Sequence, residues 1–404
     1  MIKFRWNLAG WLAVVWPVMS VAATYRLTLP AAPEIRAGEV IRFGLPTGAP
    51  RPFVLRDESN RLVATQIGDG SAVQFVVGWQ QANQTLHYRL AAGSAAPASS
   101  GVEVTNEKSR LQLNIAGIPA LVYQMDPDAL PRPDIDPKYK RAGYLHPVFT
   151  PSGQDVSGDY PSNHPHHHGI WSAWTKTEFQ GRLTNFWDMQ TQKGTEQFVS
   201  LSKTWSGPVA GGFIGHHQMI DLTAPHPTAA LDETWVVTAY RLPGAVSPVH
   251  LFDLAISQTC ATADPVELKT FLYGGLGIRG RDEWNDLPTF RLLTSTGVTD
   301  RAQANGIRAR WCYLGGTMPG GAQIGTAVLC APDNFRAPQP IRVHPAMPYF
   351  CYAPSSLGDW SITPDHPYAA RFRFVIMDGE PAAATLDAYW NGFAHPAVPK
   401  LQVE

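Results

Sequence analysis

The feature that most constrains this chain is a two-residue alternation of apolar side chains that recurs from its first third to its last. Leu111, Leu113 and Ile115 alternate with Gln112 and Asn114. Phe252, Leu254 and Ile256 repeat the pattern, as do Phe372, Phe374 and Ile376. A period of two places the apolar set on one face of a strand, so each segment covers one side of a core. Helical spacing is convincing only once: Leu386, Tyr389, Trp390 and Phe393 follow the helix-forming run 382–384. Glycine and proline number 35 each in 404 residues, which favours turns over long helices. Strands with almost no helix between them pair antiparallel, so the expected fold is all-β, a sandwich or barrel, with one C-terminal helix.

Three boundaries are legible. Lys3 and Arg5 precede an apolar run over 8–21, and Val21, Ala22 and Ala23 supply small residues, so 1–23 reads as a signal peptide. The run is shorter than the roughly 18–20 residues of a spanning helix, and no later segment is long and apolar enough. The expectation is an exported chain, periplasmic or secreted, with no stable membrane insertion. Residues 24–92 read as a small β-domain: Leu86, Tyr88 and Leu90 alternate with His87 and Arg89, and 71–79 is β-branched and aromatic. An Ala/Ser/Gly/Pro stretch at 93–101 reads as a linker, which leaves 102–404 as the large β-domain. Hydrophobic residues are 44% and charged ones 16%, enough apolar material for a core. The net charge of −1 gives no basic field for nucleic acid. Four cysteines without a CxxC pair exclude a disulfide-stapled scaffold; Cys260, Cys312, Cys330 and Cys351 could still pair after export.

Histidine is concentrated at one place. Five of 13 lie between His146 and His168, four of them in 164–168. If 164–168 is extended, His164, His166 and His168 share a face and His167 points the other way. Pro165 cannot donate to a ladder, so the segment is an edge, a strand entrance or a loop. Three readings follow: acid/base chemistry by neutral imidazoles, a divalent metal on His164, His166 and His168, or histidines satisfied structurally by neighbours. No cofactor is otherwise expected. Trp171 and Trp187 follow directly, and an indole face suits stacking on a sugar. Glu233 is a candidate carboxylate partner. Arg279, after the glycine-rich 274–277, is a candidate clamp for a hydroxyl or carboxylate, and Arg342 lies with His344 in a Pro-rich candidate rim loop. The glycine run before Arg279 is not a GxGxxG that opens a helix, and no GxSxG elbow occurs, against dinucleotide binding and serine hydrolase chemistry.

The segments 144–147 (Tyr-Leu-His-Pro), 150–153 (Thr-Pro-Ser-Gly) and 164–171 (His-Pro-His-His-His-Gly-Ile-Trp) resemble the bacterial PmoA-like family, labelled methane oxygenase PmoA. The resemblance extends to 273–276 with Arg279, to 332–334 and to 377–379, and covers about 100–395. The label implies a membrane copper oxygenase, which the absence of a multi-span pattern opposes. The resemblance further implies a galactose-mutarotase-like β-supersandwich, a fold that hosts sugar epimerases, glycoside hydrolases and polysaccharide lyases. By that analogy His146 and His166 or His168 bind sugar or move protons. Such relatives place a catalytic glutamate late in the chain; Glu380 is not in a matching motif, so Glu233 stands in for it.

The expected function is therefore an exported carbohydrate-active enzyme. His146, His166, His168, Glu233 and Arg279 are its expected catalytic groups, and His167, Trp171, Trp187 and Arg342 its expected substrate contacts. Epimerisation or elimination fits this inventory better than hydrolysis, because no pair of carboxylates is evident. The alternatives are a non-catalytic carbohydrate-binding protein and a metal-dependent enzyme using the histidine cluster.

Overall fold

A computed structural model describes residues 24–404 except 69, 71, 95–100, 126–129, 244–248 and 287. The expected signal peptide and most of the expected linker lie outside the described residues. Two eight-stranded antiparallel sheets face one another, the sandwich the alternation called for. The front sheet runs in the order 341–343, 349–352, 275–279, 170–173, 144–148, 118–124, 110–115, 102–107. The back sheet runs in the order 194–205, 210–221, 228–240, 249–260, 368–378, 323–330, 311–317, 290–294. Leu111, Leu113 and Tyr123 from the front meet Phe213, Trp235, Leu254 and Phe374 from the back in one buried core. Tyr123 stacks on Phe213 with ring centroids 4.3 Å apart. A four-stranded sheet (182–184, 177–179, 266–268, 360–362) contributes Phe179, Val266, Leu268 and Ile362 to the same core.

The central strand Tyr368–Asp378 shows why the alternation blurs locally. Phe372, Phe374 and Ile376 enter the main core, while Val375 and Met377 face a second core on the other side of the sheet. That second core is capped by the C-terminal helix Ala383–Ala394, whose Leu386, Tyr389, Trp390 and Phe393 are all buried, as their spacing predicts. Burying a large apolar side chain contributes roughly 1.5–3 kcal/mol, so these four anchor the helix. Trp390 Nε1 also donates to the Cys330 carbonyl at 2.9 Å.

Residues 25–92 form a small two-sheet sandwich around Leu27, Ile41, Phe43, Leu55, Phe75 and Leu90. One correction concerns the far boundary. Strand Lys400–Val403 leaves the large unit and pairs antiparallel with Tyr25–Leu29. Leu401 packs on the small core and Glu404 meets Arg26 and Arg89. All four cysteines are free. Among the described residues no helix is long and apolar enough to cross a membrane.

Candidate functional site

The histidine segment is not extended. His164 N donates to the Pro161 carbonyl at 3.0 Å and His167 N to the His164 carbonyl at 2.9 Å, two successive tight turns. The strand-based alternation therefore fails. His164, His166 and His167 reach a common cleft, and His168 turns away from it.

The cleft has a volume of about 240 Å³ and sits at one end of the front sheet. Besides the three histidines it is lined by Trp187, Asp188 and Tyr273, and by Arg342, His344 and Tyr349 from the far edge. Asn185 fixes Asp188: its Oδ1 accepts from the backbone N–H groups of Trp187 and Asp188, and its Nδ2 donates to Asp188 Oδ2 at 2.8 Å. The Tyr273 hydroxyl lies 3.2 Å from both Asp188 oxygens. His166 Nε2 stands 3.7 Å from Asp188 Oδ1, a close charge neighbour but too long for a hydrogen bond. His167 stacks on Tyr349 with centroids 4.7 Å apart.

Burial holds these imidazoles neutral. Loss of hydration pushes His166 down to about 4 against the pull of Asp188. Burial, then the positive charge of Arg342, pushes His344 down to about 4. His164 is lowered by burial and by Arg279, and His167 lies well below the ordinary histidine range, chiefly through burial.

Several expected site residues lie elsewhere. His168 is fully buried, with Nδ1 2.7 Å from Asp159 Oδ1 and its ring between Tyr144 and Tyr160. Burial lifts the Asp159 carboxyl to about 6. His146 binds Ser157 Oγ at 2.8 Å and does not line the cleft. Trp171 is sealed behind His167, packing rather than a sugar platform. Arg279 is wholly buried and donates to Asp282 at 2.5 Å, so it lowers the histidines' proton affinity instead of clamping a ligand. The glycine run serves packing too: a side chain at Gly277 would meet Trp187 and Trp171 at 2.7–2.9 Å. The metal set His164, His166 and His168 does not assemble, because His168 faces Asp159.

Glu233 lies in the sandwich interior, away from the cleft. It stands directly across from His217 in the back sheet, and with Glu196 they bring one ligand atom each within 4.8 Å of the others. This is the one such group of three metal-ligating side chains among the described residues. The cleft thus collects His164, His166, His167, Trp187 and Arg342 of the expected residues. It adds Asp188, Tyr273 and Tyr349, of which only Tyr273 lay in a segment the sequence singled out. A larger groove of about 670 Å³, between the small sandwich and 208–209 with 241–243, holds no comparable convergence of histidines.

Residues 110–391 match the model of DUF6807, described as a family of unknown function. The chain belongs to DUF6807. The DUF6807 span contains every residue of the cleft and of the interior cluster and leaves out the small sandwich. No curated protein matches the chain. Among solved structures this DUF6807 chain is similar to a protein in the glycosyl hydrolase family 38 from Enterococcus faecalis, with 10% identity and a TM-score of 0.46. That alignment covers 96% of this chain and 48% of the other, so the chain spans about half the length of that protein.

Proposed function

We propose that the cleft binds a sugar ring and moves a proton on it, as in an epimerase or lyase. The observation that carries this reading is the grouping of His166, Asp188 and Tyr273 against Trp187 and Tyr349 in one cavity. Aromatic walls suit the C–H face of a pyranose. The cavity, about 240 Å³, is smaller than the roughly 300–1,000 Å³ of drug-sized sites, which suits one ring or a chain end.

In this reading neutral His166 takes the proton from a carbon next to a carboxylate or carbonyl, and Asp188 stabilises the imidazolium formed. Arg342 holds the carboxylate. The Tyr273 hydroxyl gives a proton to the departing oxygen, which yields an unsaturated sugar; a proton returned to the opposite face of the carbon instead yields the epimer. Among the described residues Asp188 is the one carboxylate lining the cleft, which argues against hydrolysis by a carboxylate pair. The deciding experiment is a screen of uronate-rich and neutral oligosaccharides with product mass. An unsaturated uronate marks elimination, an unchanged mass with a new isomer marks epimerisation, and a gain of one water marks hydrolysis and overturns the assignment. Binding without product makes the protein a non-catalytic carbohydrate binder. Export is part of the proposal, resting on Lys3, Arg5 and the run 8–21; a mature N-terminus near Thr24 supports it.

A further inference from the structure

The interior cluster is organised around a gap. Glu196 Oε1, His217 Nδ1 and Glu233 Oε2 are all buried, and none has a hydrogen-bond partner. His217 Nδ1 stands 3.4 Å from Glu233 Oε2 and 3.6 Å from Glu196 Oε1. Two atoms bound about 2.1 Å from a tetrahedral ion stand about 3.4 Å apart, so these separations match the edges of a ligand set.

The outward-facing atom of each residue is, by contrast, engaged. Arg141 Nη2 binds Glu196 Oε2 and also donates to the Ser172 carbonyl at 2.6 Å. Gln258 Nε2 donates to Glu233 Oε1 at 2.6 Å, and Trp174 Nε1 in turn donates to Gln258 Oε1 at 2.6 Å. The Tyr123 hydroxyl binds His217 Nε2, which leaves Nδ1 facing the gap. Outer partners that orient each ligand and fix the imidazole tautomer are the usual support of a metal site. A cavity of about 350 Å³ lined by Lys140, Arg141, Thr195, Glu196 and Phe198 reaches the cluster at Glu196. Gly143, at φ +74°, keeps the space free, since a side chain there would run into Glu196 Oε1 and the His217 ring.

We propose that Glu196, His217 and Glu233 bind one divalent first-row transition ion of the Zn²⁺ class, at a site separate from the histidine cleft. The expected ligands are Glu196 Oε1, His217 Nδ1 and Glu233 Oε2, with a fourth position left to water.

The test uses full-length protein prepared without a histidine tag. Elemental analysis is expected to find about one equivalent of a first-row metal per chain, either as purified or after equilibration with Zn²⁺. The double variant His164→Ala/His166→Ala keeps the metal, and Glu233→Gln and His217→Ala lose it. Should those variants fail to fold, wild-type protein stripped with a chelator and titrated with Co²⁺ shows visible bands of a His/carboxylate site and a raised unfolding temperature. Protein that stays metal-free after Zn²⁺ equilibration and silent to Co²⁺ overturns the proposal. Loss of the metal in the cleft double variant overturns it as well.

Discussion

The histidine cleft and the interior cluster draw on the same side chains, imidazole and carboxylate, and differ in how the chain delivers them. The cleft is assembled mainly from turns: 161–169, 185–191 and 343–349 each bring three lining residues to the end of the front sheet. The cluster is delivered by strand register. His217 lies across from Glu233, and Glu196 lies across from Met219, two positions along the same strand face. Turns reach solvent and leave His166 and Asp188 3.7 Å apart, close but not hydrogen-bonded. Strands lock buried atoms in place, with Glu196 Oε1, His217 Nδ1 and Glu233 Oε2 facing one another without a hydrogen-bond partner. Loop-built chemistry is therefore expected to tolerate substitution structurally, and strand-built chemistry is not.

The contrast breaks most clearly at His166. His166→Ala is expected to lower turnover by about 10²–10⁴-fold with little change in unfolding temperature; a folded variant with full turnover removes the cleft from the chemistry. Arg141→Met tests the other side. It strips Glu196 of its buried partner and is expected to cost about 3–5 kcal/mol, read from chemical denaturation. Gly143→Ala is expected to cost about 1–3 kcal/mol, because it combines a left-handed backbone with a clash on Glu196. A surface glycine at positive φ with open space around it, Gly297→Ala, sharpens the comparison by showing the backbone part alone.

The smallest effect is on pH dependence. His166 and His344 titrate near 4 when folded against an ordinary 6.5, so the unfolded chain binds more protons between those values. Their contribution to stability is full above 6.5 and is lost as pH falls towards 4. Asp159 acts in the opposite sense. Raised from 3.8 to about 6, it adds stability as pH falls through that window, and the gain is lost as pH rises through 6. His344→Gln is expected to flatten the acid-side decline in denaturation midpoint, and Asp159→Asn to steepen it.

What the sequence exposed follows the range of the interactions involved. Strands Arg110–Ile115 and Val249–Cys260 and the C-terminal helix were legible because one buried face imposes a period within a few residues. The histidine segment was legible as a site but not as a shape. Alternation assumes extended backbone, and the turns through Pro161 and His164 replaced His168 with His167. Glu233 was singled out for the wrong neighbour, because its partner His217 is fixed by sheet pairing and Glu196 by a second hairpin, neither visible in spacing. Trp171 and Arg279 have the residue types of ligand contacts, and only their complete burial shows otherwise.

The return of Lys400–Val403 to Tyr25–Leu29 ties the order of synthesis to the order of assembly. The small sandwich is the first part of the described chain to leave the ribosome, yet one rim of its sheet stays bare until residue 403 has been made. The earliest-born unit is thus the last to be sealed, and shortening the chain by a handful of residues at its far end would unlatch the opposite end of the molecule.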